Sequence, residues 1–547
     1  MLSKLKIFVL IFSISAFFLQ GCKEDEVLGD DPYGGAKKLI GVKLFPVKPP
    51  VPAAGLPGDI VTVQVANLDT LSVPYQILFN GQLAEVVEAP TAANPGTIKV
   101  KVPDNSSSGA ISMQIGNQVI FGPRFEVLGK VYLDASFKAK KGTDQFVSQV
   151  YSFNGDLMVI GNFTDWDNKG LVKKINRIVR VSNEGSINKL FNSGPGSPGP
   201  LSSLAFTPNR IYAAGNFGGF GDKNRFMHNI ARIYHSGAID TTTTTTYEGK
   251  TLGIPSFKGG SDAPVDYMAL YNNKLTIVGD GIKAYLSRRY NVGSSSGKDD
   301  LEVIDSINVD QLFRTDLDGN LDKTYRFNPT IGQKKDGVPR GEGIETTNGI
   351  IFTAYQHETG ALAGKLLIGG GFTKFEDKPA GSIIRLNEDG SIDGTFNPGT
   401  GADFITSINY NEVTGKYLVA GRFLTFNGKK ASGLVVLNPD GSIDETFTGQ
   451  DLNIGGDVFF ARQLNDGLII AAGQFSSYGG VSRQGMMILD NKGKLASGYN
   501  NFGGIQGRIS DVKEAQTAEG KRALLIFGFI RQFNGDPVNN IFRITFE

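Results

Sequence analysis

The residues of this sequence best suited to recognise a ligand are aromatic rings beside arginines. Residues 218–229, 241–266 and 280–300 hold Phe226, His228, Tyr247, Phe257, Tyr285, Arg288, Arg289 and Tyr290. Ring faces stack on the C–H faces of sugars, while guanidinium and amide groups pair with hydroxyls. Phe226, Tyr247, Tyr285, Arg288, Arg289 and Tyr290 are therefore the candidate ligand-binding residues. The competing reading is that they pack these insertions onto the body of the protein.

Catalytic constellations are scarce. His228, His235 and His357 show no metal-ligand spacing, and Cys22 is the single cysteine, so neither zinc chemistry nor an intrachain disulfide is expected. Asp316-x-Asp318-Gly319-Asn320-x-Asp322 has the look of a calcium loop but lacks the bidentate glutamate, and it coincides with an Asp-Gly turn. Carboxylate pairs such as Asp299 with Asp300, or Glu342 with Glu345, could serve a hydrolase or lyase only at a separation that sequence does not set. No catalytic residue, metal or cofactor is assigned, and the expectation is a non-catalytic binding protein.

The elements that must position these residues form a repeat, seen best in residues 365–397. An apolar run ends at Gly370-Gly371-Phe372, a second run covers residues 383–386, and Asp389-Gly390 supplies a tight turn before Asp393-Gly394-Thr395-Phe396. The Gly-x-Phe step recurs at Gly161, Gly215, Gly421 and Gly473, with weaker forms at Gly279 and Gly528. Asp-x-x-Phe steps recur seven times too, but out of phase: the first, Asp134 to Phe137, precedes the first Gly-x-Phe, and the chain ends where an eighth is due. That offset suits a closed ring in which the N-terminal strand completes the last unit and removes two sheet edges. The fold expected is an all-β chain ending in a seven-bladed β-propeller over residues 131–547. Successive Gly-x-Phe sites lie 64 residues apart after repeat two and 91 after repeat three, so the excess is expected to be loops on the Gly-x-Phe face. Trp166, the only tryptophan, shares its slot with Phe220, Phe375, Phe426, Tyr478 and Phe533, and reads as packing.

Ahead of the repeats, residues 1–21 carry Lys4 and Lys6 and an apolar run too short to span a membrane, as a secretory signal does. Residues 22–38 are polar and read as a tether. Residues 39–128 alternate, as in Ile60-Val61-Thr62-Val63-Gln64-Val65, which is the pattern of half-buried strands in a sandwich. The 55 basic and 54 acidic residues leave a formal net charge of +1, so no nucleic-acid footprint is present.

Four stretches carry resemblances. Leu19-Gln20-Gly21-Cys22 resembles a bacterial lipobox, implying lipidation at Cys22, and Lys23-Glu24-Asp25-Glu26 resembles the surface-export signal of Bacteroidetes lipoproteins. Residues 39–128, with Gly58-Asp59, Phe79-Asn80-Gly81 and Val102-Pro103, resemble an immunoglobulin-like IPT/TIG domain, which implies a spacer. Arg385-Leu386-Asn387-Glu388-Asp389-Gly390-Ser391-Ile392-Asp393 resembles the delta-60 repeat of β-propellers. Together these resemblances imply a lipid-anchored outer-membrane protein that faces the exterior and binds polysaccharide or oligosaccharide beside an importer complex. A protein-binding adhesion scaffold is the alternative, with a polysaccharide hydrolase or lyase behind it.

Overall fold

The computed structural model describes residues 41–171, 174–222, 227–294, 296, 300–335 and 338–546. The signal and tether assignments, Cys22 among them, lie outside the described residues. The described chain is all-β apart from one short 3-10 turn, Gly360–Leu362, and none of its helices is long and apolar enough to cross a membrane.

Residues 43–127 build two facing sheets. One orders its strands Lys43–Leu44, Ile60–Ala66, Thr97–Lys101, Glu85–Glu88; the other Ala54–Gly55, Gln118–Val127, Gly109–Ile115, Gln76–Phe79, Gln82–Leu83. Alternation along Ile60–Ala66 turns Val61, Val63 and Val65 inward onto Ile98, Val100 and the edge-to-face pair Phe79 and Phe125, 5.1 Å apart.

Seven sheets follow. Their inner strands are Val147–Phe153, Leu201–Phe206, Tyr267–Tyr271, Ile350–Gln356, Ile405–Asn411, Asp457–Gln463 and Ile505–Gln516, and each pairs antiparallel with the strand after it. Between consecutive sheets lie separate apolar cores. The seventh core joins last to first, since Leu525, Phe527 and Ile541 of blade 7 pack with Val147, Val159 and Trp166 of blade 1. A ring of seven interfaces for seven sheets is closed. Val131–Leu133 completes blade 7, with Val131 opposite Phe546 and Leu133 opposite Ile544.

Both repeat motifs have steric or electrostatic causes. A Cβ on Gly161, Gly215, Gly279, Gly370, Gly421, Gly473 or Gly528 would sit 1.9–2.4 Å from a carbonyl oxygen at the start of its own blade's inner strand. No side chain fits there, so the seven glycines answer one constraint. The aspartate of Asp-x-x-Phe ties the third strand of the blade to the fourth: Asp393 accepts from Thr395 N and Arg385 Nε, at 3.0 and 2.6 Å, and Arg385 also reaches Pro439 O of the next blade. Asp134, Asp240 and Asp322 pair with Arg543, Arg232 and Arg314 in the same way.

These groups predict an acid profile. His357 is buried, with Nε2 hydrogen-bonded to Tyr417 Oη at 2.7 Å; burial and the charges of Arg385 and Lys365 push it down to about 4. Burial alone would raise the Asp322 carboxyl, but hydrogen bonds from Thr324 and the charges of Arg314 and Lys274 outweigh it and hold it at about 2. In both cases the unfolded chain binds more protons, so stability falls as the pH is lowered. The histidine contribution, about 3 kcal/mol, is complete above pH ~6.5 and lost by pH ~4; Asp322 contributes about 2 kcal/mol that is lost below pH ~4, and Asp134 and Asp240, also held low by their arginines, add in the same direction. Thermal melts should therefore decline in two stages, and His357→Gln should flatten the first stage and leave the second. A wild-type melting temperature constant from pH 7 to 4 would refute the assignment.

The insertions of blades 2 and 3 depart from expectation. Residues 241–255 form a hairpin, Thr241–Thr245 with Thr251–Pro255, while Gly259–Ser261, Ala284–Asn291 and Leu301–Asn308 form a sheet of their own. At one end Lys258 N donates to Asp318 O, in the turn on the face opposite the Gly-x-Phe loops; at the other, Ser261 N donates to His228 O. This sheet thus runs down the outer rim of the ring and does not roof the Gly-x-Phe face. Length between Gly-x-Phe sites shows that residues are inserted but not which way they fold back.

The sandwich is docked on the ring. Buried Ser108 donates from N and Oγ to Asn501 O, at 2.8 and 2.7 Å, and buried Asn501 in turn brackets Val131 N and O. Arg124 reaches Asn534, and Arg483 reaches Asn105 O at 3.0 Å.

Candidate functional site

The six predicted ligand residues do not converge. Tyr285 is 2% exposed, packs with Phe313, and donates its hydroxyl to Gly319 O at 2.7 Å, so it belongs to the core between blades 2 and 3. Arg288 is likewise buried: Nη2 donates to Pro255 O and Phe257 O, both at 2.7 Å, and Nε faces Glu302. Both depart from expectation, and on opposite faces of the strand: Tyr285 packs onto the blade, whereas Arg288, three residues on, is covered by the Pro255 and Phe257 carbonyls. Tyr247, Arg289 and Tyr290 do lie on the outside of the rim. Asp300 binds Tyr247 N and Gly293 N and takes a hydrogen bond from Tyr290, pinning the two hairpin tips together, while Arg289 pairs with Asp305 at 2.9 Å. Phe226 lies outside the described residues. The calcium-like loop is a turn: Asp316 Oδ1 accepts from Asp318 N and Asn320 N, so its carboxylate serves its own backbone. Among the described residues no group of three or more His, Cys, Asp or Glu could hold a metal ion.

The axial channel is a cavity of about 530 Å³ lined by all seven inner strands. Six of these strands carry a β-bulge near their start, at Ser148, Ser202, Phe352, Thr406, Phe459 and Ser510. At the hydroxyl positions the extra residue ties neighbouring blades together. Ser148 Oγ donates to Leu201 O, Ser202 Oγ to Val265 O, Thr406 Oγ1 to Phe459 O and Ser510 Oγ to Val147 O. Blades 4 and 6 place phenylalanine there instead, and a phenyl ring has no such bond to make.

Those two rings build a platform at the channel mouth on the Gly-x-Phe face. Phe352 is 44% exposed and lies 5.8 Å from Phe404, edge to face. The Arg508 guanidinium, reaching over from blade 7, is 5.7 Å from the Phe352 ring and 4.7 Å from Phe459. Arg422 lies 5.6 Å from Phe404; Phe529, opposite Arg508 in the strand pairing, is exposed and carries Arg531 at 5.3 Å. The far end of the channel is self-satisfied: Asp511 accepts from Val150 N and Arg462 at 3.0 and 2.8 Å, Tyr151 Oη accepts from Leu204 N, and Tyr267 Oη accepts from Gln356 N. Stacking and cationic groups without protein partners thus gather at one mouth. Sequence reading missed them because they come from blades 4, 5, 6 and 7; the signal was the phenylalanine that replaces serine or threonine in two bulges.

Residues 364–396 and 414–447 match a family described as a domain of unknown function (DUF5122) beta-propeller, and residues 20–123 match a domain of unknown function (DUF5008). No curated protein matches the chain. Among solved structures, the WD40 beta propeller domain of Doa1 is similar at 12% identity and a TM-score of 0.38, covering 76% of this chain and 96% of that one. An auxiliary nutrient binding protein from Bacteroides thetaiotaomicron aligns at 11% identity and a TM-score of 0.20, covering 69% and 96%. A gluconolactonase from Xanthomonas campestris aligns at 9% identity and a TM-score of 0.26, covering 77% and 95%.

Proposed function

We propose that this protein is a non-catalytic saccharide-binding lipoprotein whose ligand rests on the phenylalanine platform at the channel mouth. The reading is supported above all by the exchange of a blade-tying hydroxyl for a phenyl ring at positions 352 and 459. Exposing a phenyl ring forgoes burial that would contribute about 1.5–3 kcal/mol, and the exposed face of Phe352 suits the apolar face of a pyranose. On this proposal the chain is lipidated at Cys22, held at the outer membrane facing outward, and works beside an importer complex. Its sandwich is of the IPT/TIG kind.

Affinity electrophoresis of the full chain through gels containing soluble polysaccharides tests the platform. Retardation without release of new reducing ends is expected, and Phe352→Ala with Phe459→Ala should weaken it severalfold per ring, on the order of 1 kcal/mol for each stacking contact. The melting temperature of Phe352→Ala should stay near that of the parent, because the ring is exposed. Unchanged retardation of the double variant would remove the platform as the site, and new reducing ends would make the protein an enzyme.

A further inference from the structure

The chain itself shows what its arginine-on-ring contacts normally include. Arg180 lies over Phe153 and pairs with Asp156; Arg210 lies over Tyr234 and pairs with Asp240; Arg314 lies over Tyr325 and pairs with Asp322. Arg326 over Phe375 pairs with Glu376, Arg385 over Phe396 with Asp393, Arg522 over Phe546 with Asp466, and Arg543 over Phe137 with Asp134. In each, a ring supports the guanidinium and a carboxylate occupies its donors. Three arginines break this rule among the described residues: Arg508 lines the axial channel, Arg422 adjoins it through Phe404 and Phe352, and Arg531 lines the neighbouring concavity beside Phe529. Arg422, Arg508 and Arg531 have their rings but neither an ion pair nor a side-chain hydrogen bond. The acid nearest in effect is Asp457, whose carboxyl is raised by burial and only partly offset by Arg422.

We infer that the missing partners come from the ligand, so that the saccharide is an acidic one, bearing carboxylate or sulfate groups. This rests on the platform reading above. A planar guanidinium held flat on a ring presents its remaining N–H donors in a fixed fork that matches a carboxylate or sulfate bidentately. Arg508, between Phe352 and Phe459, receives the first acidic group directly over the stacked sugar. Arg422 and Arg531, on either side, bind further acidic groups along the same chain. A neutral glycan would leave three charges unanswered, while the net charge of +1 supplies no general attraction for polyanions.

Four gels separate the outcomes for the full chain purified in non-ionic detergent: polygalacturonate, its fully methyl-esterified form, dextran sulfate and dextran. Retardation by polygalacturonate or dextran sulfate, lost with the ester or with dextran and weakened by added salt, is expected, and the gel that retards identifies carboxylate or sulfate as the group read. Arg508→Gln together with Arg422→Gln should reduce that affinity at least tenfold and flatten its salt dependence, as loss of charge-assisted bonds does. Equal retardation by the neutral and acidic polymers would overturn the acidic assignment while leaving the platform in place. No retardation in any of the four gels overturns the acidic assignment; if the neutral glycans of the wider panel are then also inert, the platform reading falls with it. Equal binding of duplex DNA would show a general polyanion site and overturn the assignment to a saccharide.

Discussion

Replacing Arg543 by alanine is expected to destabilise the protein by about 3–5 kcal/mol, because it strips a buried guanidinium from two carboxylates at the point where the ring closes. Arg543 is 0% exposed; Nε donates to Asp134 at 2.5 Å and Nη1 to Glu184 at 2.6 Å, while Asp134 N donates back to Arg543 O at 2.8 Å. Asp134 follows the closing strand and Glu184 belongs to blade 1, so one side chain joins both ends of the propeller to its first blade. Alanine leaves Asp134 and Glu184 facing each other across a gap with no countercharge. Denaturant unfolding checks the magnitude, and hydrogen exchange at residues 131–133 checks the mechanism. A loss below 1 kcal/mol, with those amides still protected, would mean that strand pairing alone holds the closure.

Trp166→Ala is expected to cost a similar amount, about 3–5 kcal/mol, as large-to-small core substitutions do. The indole is 1% exposed, sits 6.5 Å from Phe163, and donates Nε1–H to Gly185 O at 3.0 Å. Its cluster includes Leu525 and Phe527 of blade 7, so truncation opens a cavity in the first-to-last interface. Saccharide affinity of the folded fraction should be unchanged, since Trp166 lies away from Phe352, Phe459 and Arg508. A variant that keeps its melting temperature and loses binding would place the ligand at Trp166 instead.

The propeller was legible in the sequence because its constraints are local. A glycine beneath a carbonyl must reappear in every blade, an aspartate closing a turn and an aromatic beside it reappear in most, and Trp166 reads as packing because five other blades fill the same slot. The rim sheet was legible only in part: Leu301-Glu302-Val303-Ile304-Asp305 has strand character, but nothing in residues 284–308 states that they lie outside the ring, so Tyr285 and Arg288 looked like surface residues. The platform was hidden by varying turn length. The bulge precedes the glycine by 13 residues from Ser148 to Gly161 but by 18 from Phe352 to Gly370, so the Ser-to-Phe exchange does not line up until the strands are paired.

The seam between Ser108 and Asn501 also fixes how the protein carries mechanical load. Gln118–Val127 ends the sandwich and Val131–Leu133 closes the ring, leaving only residues 128–130 between them. A pull entering through the sandwich would otherwise arrive first at the strand whose loss opens the propeller. Ser108 and Asn501, with Arg124 on Asn534 and Arg483 on Asn105, bypass that strand and pass the force into blades 6 and 7, whose shared core spreads it over many side chains. The closing strand is thereby relieved of tension, as a cable is by the clamp set ahead of its plug.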